Sequence, residues 1–292
     1  MQGIIAAVPT PVDPAYRPIE ALFLEHGRWA LANGCDGLNI LGSTGEANSF
    51  DTETRKIVMS WAAAELDRKR LMVGTGTPAL SETVALTQHA DTLGYPVALV
   101  LPPYYYTPPS EDGLVCWYTA LHEALGDRPI VIYFYNFPQM TGFTIPLAVM
   151  ERLAAIAPDR FRGIKDSSGD LDYCRRIVAD LPGFRVFPSS ETSLPVARES
   201  GFVGCISATV NHSVPLCARI WRGEDEPALA DRIADLRTAI SAQPLIPSVK
   251  HLVARRTGMP DWANTLPPFV PLTAAQKSAL DDLVMQPAAG IA

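Results

Sequence analysis

A lysine at the end of a short apolar run is the residue whose position first suggests chemistry. Lys165 stands in the run Phe161-Arg-Gly-Ile-Lys-Asp-Ser-Ser-Gly-Asp170, where a strand-like segment gives way to a polar turn. Lysine is depleted in strands and rarely buried without a partner. A desolvated lysine has a lowered pKa and can attack a carbonyl as the free amine, forming a Schiff base. The competing interpretation is a lysine paired with Asp166 or Asp170 at a barrel rim.

The other lysines make Lys165 stand out further. Lys56, Lys69 and Lys277 fall in stretches that are typical of solvated helices, and Lys250 is predicted near the start of another helix. Lys165 is therefore predicted to be the exception among five lysines.

Other polar side chains also follow apolar runs. Gly42-Ser-Thr-Gly45 is a turn whose N–H groups and hydroxyls could hold a carboxylate, although a plain glycine turn explains this pattern better when it stands alone. Tyr135 ends a run, and a buried tyrosine needs a partner for its hydroxyl, which in a core tyrosine is a protein group. Each signal is weak alone, and their meeting at one rim favours a catalytic site. The further polar side chains that follow apolar runs are those of Tyr104 to Tyr106, Asn136, Ser190, Glu191, Ser207 and Thr209.

Eight short apolar runs alternate with helical patterns over about 220 residues, and these elements must position the polar residues. The runs are apolar on both faces, which is typical of parallel strands covered by helices. Eight such units predict an α/β fold, a (β/α)8 TIM barrel, whose site lies at the carboxyl ends of the strands. A doubly wound open sheet is the alternative, but the first strand lacks the G-x-G-x-x-G turn. The predicted strands are 4–8, 37–41, 71–74, 97–101, 130–135, 162–165, 184–187 and 203–207.

The alternation stops after Arg222. Helical patterns then recur without strands, at 224–240, 247–257 and 273–285. We therefore expect a barrel over residues 1–223 and a C-terminal helical extension over 224–292 that packs on it. The proline-rich link between the last two helices carries apolar residues, so it is predicted to pack along a surface.

Composition excludes several classes of function. The chain of 292 residues is 48% hydrophobic with a net charge of −7, which argues against a nucleic-acid or anionic-membrane partner. Its five cysteines form no C-x-x-C pair and its five histidines stand singly, so we predict neither a disulfide framework nor a metal site. The first ten residues lack the features of a signal peptide, and a cytoplasmic location is expected.

Three motifs in register give this chain a resemblance to a known family. Gly42-Ser-Thr-Gly-Glu46, Tyr135-Asn-Phe-Pro138 and Gly163-Ile-Lys-Asp166 stand in the order and spacing of the dihydrodipicolinate synthase/N-acetylneuraminate lyase family of class I aldolases. The likeness extends to Pro103-Tyr-Tyr105 and Gly204-Cys-Ile-Ser207 and covers nearly the whole chain.

The resemblance implies a role for each matching residue. Lys165 would form a Schiff base with the keto carbon of pyruvate or another 2-oxo acid, and Tyr135 would shuttle protons. Ser43 and Thr44 would bind the carboxylate, with Ile206 also at the substrate. Ser43 would link Tyr135 to Tyr105, which in the family often serves a neighbouring site across a dimer contact within a tetramer that is a dimer of dimers. Neither metal nor organic cofactor is needed in this family.

The identity of the second substrate is less determined. Members that condense pyruvate with aspartate semialdehyde carry an arginine where this chain has Met140, and a thioether cannot bind a carboxylate. Sialic acid lyases carry an acidic pair after strand seven, where this chain has Glu191 and then Thr192. Ser190 and Glu191 could still hold a hydroxylated aldehyde, and Met140 would tolerate an apolar one.

We therefore expect a Schiff-base aldolase or lyase that cleaves or forms a 4-hydroxy-2-oxo acid, with pyruvate and an aldehyde as partners. Dihydrodipicolinate synthase activity itself is not expected. One alternative is a Schiff-base dehydratase of a 2-keto-3-deoxy sugar acid. Another is a catalytically silent relative that senses a 2-oxo acid.

Overall fold

The computed structural model describes residues 1–224 and 227–285 and contains eight parallel strands arranged as a ring. Their hydrogen-bonded order is β7-β6-β5-β4-β3-β2-β1-β8. The ring closes where the backbone N–H of Val203 donates to the carbonyl of Val186 at 3.1 Å. The predicted barrel is confirmed. The strands are β1 Gly3–Ala7, β2 Gly37–Ile40, β3 Leu71–Gly74, β4 Val97–Val100, β5 Val131–Asn136, β6 Phe161–Asp166, β7 Arg185–Pro188 and β8 Gly204–Ser207.

Helices cover the outside of this ring, and three of them begin at side chains that cap free backbone N–H groups. Asp51, Ser110 and Asp170 each accept a hydrogen bond from the N–H three residues later, as their sequence patterns predict. The helices are α1 Glu20–Ala32, α2 Thr52–Glu65, α3 Leu80–Thr92, α4 Glu111–Leu125, α5 Pro138–Thr141, α6 Leu147–Ile156, α7 Leu171–Asp180, α8 Ala197–Ser200, α9 Val210–Arg222, α10 Pro227–Ser241, α11 Leu245–Thr257 and α12 Ala274–Met285.

Alternation along each strand divides the core into two layers. Phe134 and Ile164 point outward into the large cluster between strands and helices. Tyr135 and Phe187 point inward and pack inside the barrel. Lys165 lies between them, paired in register with both, so its side chain also points inward.

The last three helices, α10 to α12, pack against the barrel near α9. The link before α12 is held by buried apolar residues, since Trp262 and Leu266 are at most 4% exposed. The link therefore packs as predicted, and the described part of α10 begins at Pro227, since residues 225–226 of the predicted helix lie outside the described residues. Residues 286–292 of the predicted extension lie outside the described residues.

A buried histidine joins α1 to α9 and α11. His26 is 1% exposed, with Nε2 lying 2.8 Å from Oδ1 of Asn211 and Nδ1 lying 2.8 Å from Nη2 of Arg256. A guanidinium only donates hydrogen bonds, so Nδ1 accepts and the ring is neutral, with Nε2–H donating to Asn211. Burial lowers the pKa of His26 from 6.5 to about 4.

We expect this histidine to make the protein acid-sensitive. Its pKa is lowered by folding, so the unfolded chain binds the proton more tightly and the stabilisation is fully present above pH 6.5. It is lost as the pH falls toward 4, by about 3 kcal/mol in total. Urea unfolding should therefore show a smaller loss of stability on acidification for His26→Gln than for the wild type. Parallel pH curves for the two proteins would contradict this expectation.

Candidate active site

Lys165 and Tyr135 lie side by side at the carboxyl end of the barrel because β5 and β6 pair them in register. Lys165 is 4% exposed, and its Nζ donates to the hydroxyl of Tyr135 at 3.1 Å. The same nitrogen lies 4.3 Å from the centre of the tyrosine ring. The structure thus brings together two of the predicted catalytic residues.

Neither neighbouring aspartate pairs with Lys165. Asp166 points outward and accepts hydrogen bonds from Nδ2 of Asn136 at 2.6 Å and Oγ of Ser168 at 2.8 Å. Asp170 caps α7 by accepting from the N–H of Tyr173. The structural ion pair considered from sequence is therefore not formed, and Lys165 has no carboxylate in salt-bridge contact among the described residues.

The prediction that Lys165 is the exceptional lysine is wrong, because Lys250 is more deeply buried. Lys250 lies in the middle of α11, is 0% exposed and donates to the carboxylate of Glu46. Lys250 is paired with a buried carboxylate, whereas the side chain that Lys165 contacts is a phenol. Burial alone therefore does not distinguish a nucleophile, but the nature of the partner does.

The turn after β2 supplies the third member of this group. Oγ of Ser43 lies 3.5 Å from the hydroxyl of Tyr135 and completes a chain from Ser43 through Tyr135 to Lys165. The turn is closed by bonds from the N–H groups of Gly45 and Glu46 to the carbonyls of Gly42 and Ser43. In the part of the chain that the structure describes, the N–H groups of Ser43 and Thr44 have no acceptor. Such a pair of free N–H groups suits an anion.

Gly42 allows this turn to pack tightly over the barrel. A Cβ placed at Gly42 would lie 2.7 Å from Nδ2 of Asn39, which is buried inside the barrel. Any larger residue would require the Asn39 side chain to shift. Ile206 faces the same interior from β8 and is fully buried beside Tyr135 and Phe187.

Glu191 takes a position that the sequence did not indicate. It is 1% exposed and accepts hydrogen bonds from Thr209 and, at 2.6 Å, from Ser207. Arg237 of α10 adds an ion pair at 3.0 Å. Because Ile206 points inward, Ser207 points outward, and this network lies behind the strand rather than over Lys165. Its carboxylate is occupied within the protein, and we do not propose Glu191 as a substrate ligand.

The hydroxyl of Ser190 is also hydrogen-bonded within the protein, to a residue two positions later. Its hydroxyl lies 2.6 Å from that of Thr192 and accepts from the Thr192 N–H at 3.2 Å, which begins a short 3-10 helix. The only signal for this arrangement is the N-cap preference of serine.

A mostly apolar cavity of about 280 Å³ opens beside Ser43. Met140, which is 66% exposed, lies on the rim of this cavity. The synthases that this chain resembles carry an arginine at that position. The apolar lining comes from both the barrel and the C-terminal extension, the latter without any sequence signal. The lining includes Leu101, Tyr104, Met140, Ile246, Pro268 and Phe269.

Tyr105 lies away from this group in the single chain. It is 75% exposed, and its ring makes an edge contact with that of Tyr106 at 5.2 Å. The predicted link from Tyr135 through Ser43 to Tyr105 is therefore not made within one chain.

Within residues 1–224 and 227–285, no three His, Cys, Asp or Glu side chains lie together in a way that could hold a metal ion. No helix in the same ranges is long and apolar enough to span a bilayer.

The sequence matches the dihydrodipicolinate synthetase family over residues 1–287. A protein of Chloroflexus aurantiacus, named an uncharacterized DapA-like lyase, is 30% identical over 286 residues, which are 96% of this chain and 94% of the relative. A 4-hydroxy-tetrahydrodipicolinate synthase of Rhodospirillum centenum is 34% identical over 222 residues, 74% of each chain.

Solved structures agree with this match. Dihydrodipicolinate synthase of Agrobacterium tumefaciens superposes with a TM-score of 0.89 at 26% identity, over 97% of this chain and 98% of that one. A prophage protein of E. coli K12 from the dihydrodipicolinic acid synthase family, solved with pyruvate, gives the same score and identity over 97% of each chain. Sequence and fold agree over nearly the whole length, and this chain belongs to the dihydrodipicolinate synthetase family, a family of lyases.

Proposed function

We propose that this protein is a class I lyase that forms a Schiff base between Lys165 and a 2-oxo acid, with pyruvate as one partner. The observation that carries the proposal is the chain of contacts from Nζ of Lys165 to the Tyr135 hydroxyl at 3.1 Å and on to Ser43 at 3.5 Å. A lysine inside a barrel that contacts a phenol can attack a carbonyl as the free amine. The pyruvate complex of the E. coli family member supports the choice of acid.

The reaction in the cleavage direction begins with a 4-hydroxy-2-oxo acid. Nζ of Lys165 attacks C2, Tyr135 gives its hydroxyl proton to the keto oxygen, which leaves as water, and an iminium remains. Tyr135, now a phenolate, accepts the proton of the C4 hydroxyl, the C3–C4 bond breaks, and its electron pair moves into the iminium. The aldehyde leaves, the resulting enamine is protonated at C3, and water releases pyruvate and restores the amine. The iminium is the electron sink, so this scheme uses no resident cofactor.

The carboxylate of the acid has a matching anchor beside the lysine. The free N–H groups of Ser43 and Thr44 and their hydroxyls offer donors for both oxygens. Holding the carboxylate there brings C2 toward Lys165, since the turn after β2 and the end of β6 lie at the same end of the barrel.

The aldehyde half is assigned from the cavity beside Ser43. Its apolar lining, with Tyr104 and Phe269, suits an aromatic or other apolar aldehyde better than a carboxylated one. Glu46 also lines the cavity, but both of its oxygens are bonded within the protein. For these reasons we propose cleavage of apolar substrates rather than condensation with aspartate semialdehyde.

The test is a panel of 4-hydroxy-2-oxo acids that carry a phenyl group, a carboxylate or a sugar chain beyond C4, with pyruvate release as the measurement. We expect the phenyl substrate to exceed the carboxylated one in kcat/KM by about tenfold or more, because the carboxylate would lose its hydration in the cavity. Met140→Arg should shift this ratio by about tenfold toward the carboxylated substrate. The matched control is Met259→Arg, which changes an exposed methionine outside the cavity lining.

Two outcomes of the same panel contradict the proposal. Consumption of the sugar acid without pyruvate release would indicate a dehydratase. Thermal stabilisation by pyruvate with no turnover of any substrate would indicate a sensor.

The role of Tyr105 is proposed in an assembly. The exposed Tyr105–Tyr106 pair offers an apolar contact for a second copy of the chain, through which Tyr105 would reach a neighbouring Ser43. A dimer of dimers, as the family resemblance implies, is the arrangement that we propose.

A further inference from the structure

A buried ion pair lies directly behind the turn that offers free N–H groups at Ser43 and Thr44. Glu46 ends this turn and Lys250 lies in α11 of the C-terminal extension, and both side chains are 0% exposed. Nζ of Lys250 donates to Oε2 of Glu46, while Oε1 accepts from the backbone N–H of Leu266 at 2.7 Å. Two separate segments of the extension are thus bonded to one carboxylate of the turn.

The conformation of the turn explains why it needs an external support. Leu41 and Glu46, at its two ends, have φ values of 50° and 56°, in the left-handed region that is unfavourable for residues with a Cβ. Such residues keep this conformation only when their surroundings fix it. The hydrogen bonds inside the turn involve the N–H groups of Gly45 and Glu46, so they leave the side chain of Glu46 to connect the turn with the rest of the protein.

The pair holds two elements together at a cost in desolvation free energy, because both charges are buried. Desolvation lowers the pKa of Lys250, and the neighbouring Glu46 opposes that shift by favouring the ammonium. Buried ion pairs often add less stability than apolar residues of the same size would, but they fix one geometry. At this place the geometry that is fixed belongs to the turn beside Lys165.

We propose that Glu46 and Lys250 are positioning residues that hold the Ser43 and Thr44 N–H groups in the geometry that binds the carboxylate of the 2-oxo acid. The inference rests on the proposed function for the identity of the ligand. It gives the C-terminal extension a part in substrate binding, through a residue 204 positions away from the turn.

The experiment compares Lys250→Met with Arg256→Met. Both substitutions remove a cation from α11, but Arg256 contacts His26 and Trp29 on another side of the helix. We expect Lys250→Met to raise the pyruvate concentration that gives half-maximal borohydride trapping by about tenfold or more, with the maximal trapping rate within about threefold of wild type. Arg256→Met should leave that concentration unchanged. Equal concentrations for the two variants would overturn the proposal.

A second readout needs no ligand. Hydrogen exchange at the amides of Gly45 and Glu46 should speed up by about tenfold or more in Lys250→Met but not in Arg256→Met. If the wild type traps no pyruvate, the proposed function fails, while the exchange comparison still decides whether the pair holds the turn. Unchanged exchange in Lys250→Met would overturn the inference alone.

If Lys250→Met does not fold, a milder variant tests the same proposal. Glu46→Gln keeps the volume and the acceptor for Leu266, and it removes only the charge that holds Lys250. The same two readouts should change in the same direction, and wild-type values in this variant would overturn the proposal.

Discussion

Lys165→Ala should lose all trapping of pyruvate by borohydride and lower the rate of cleavage by on the order of 10⁴-fold or more, because no other amine can form the iminium. Intact mass should show one pyruvyl group on the wild-type protein, and peptide mapping should place it on Lys165. The side chain is buried inside the barrel without a carboxylate partner among the described residues, so its removal leaves no unpaired charge. The variant is therefore expected to fold.

The control for this result is Lys69→Ala, which removes a surface lysine in the 3-10 turn before β3. It should trap pyruvate at the wild-type rate. Lys250 provides an internal comparison, because it is the other buried lysine that the structure describes and its ammonium is held by Glu46. A pyruvyl group found on Lys250, or an undiminished adduct in Lys165→Ala, would refute the assignment of the nucleophile.

Tyr135→Phe should lower kcat for cleavage by about 10²- to 10³-fold with a smaller effect on KM, because the lost hydroxyl is the group that we propose as the proton shuttle. The ring remains and continues to pack beside Lys165 and Phe137, where the ring centres of Tyr135 and Phe137 are 5.5 Å apart. Stability should change little, since only one hydroxyl is removed. The measurement is steady-state pyruvate release, together with the rate of adduct trapping.

Tyr133→Phe is the matched control for this substitution. Tyr133 precedes Tyr135 by one inward position on β5, and it is equally buried at 3% exposure. Among the described residues its hydroxyl forms no hydrogen bond with Ser43, Tyr135 or Lys165, so the kcat of Tyr133→Phe should stay within about threefold of wild type. Similar losses in both variants would mean that any buried hydroxyl of β5 matters, and the shuttle role of Tyr135 would then be wrong.

Local patterns predicted the parts of this fold whose causes are local. The caps at Asp51, Ser110 and Asp170 each involve an N–H three residues away, so the sequence window that contains the cap also contains its partner. Strand positions were predicted to within about one residue for the same reason, because a run of apolar residues is visible without knowledge of the fold.

Long-range partners could not be predicted in this way. Glu191 was expected to face a substrate, but its carboxylate is held by Arg237, which lies 46 positions further along the chain. Glu46 and Lys250 are separated by 204 positions and meet only because the extension folds back over the barrel. A lysine in an amphipathic helical pattern is normally solvated, so nothing near Lys250 indicates its burial.

The sequence by itself determined the eight strand–helix units, the placement of Lys165, Tyr135 and the Ser43–Thr44 turn at strand ends, and the apolar residue at position 140. Only the tertiary structure decided which polar groups are free. It showed that Asp166, Glu191 and Glu46 are each bonded within the protein, while Lys165 is left with a phenol. The physical reason is that the nearest partner of a buried ionisable group determines whether its charged or its neutral form is favoured. Barrel closure and packing of the extension bring that partner into contact.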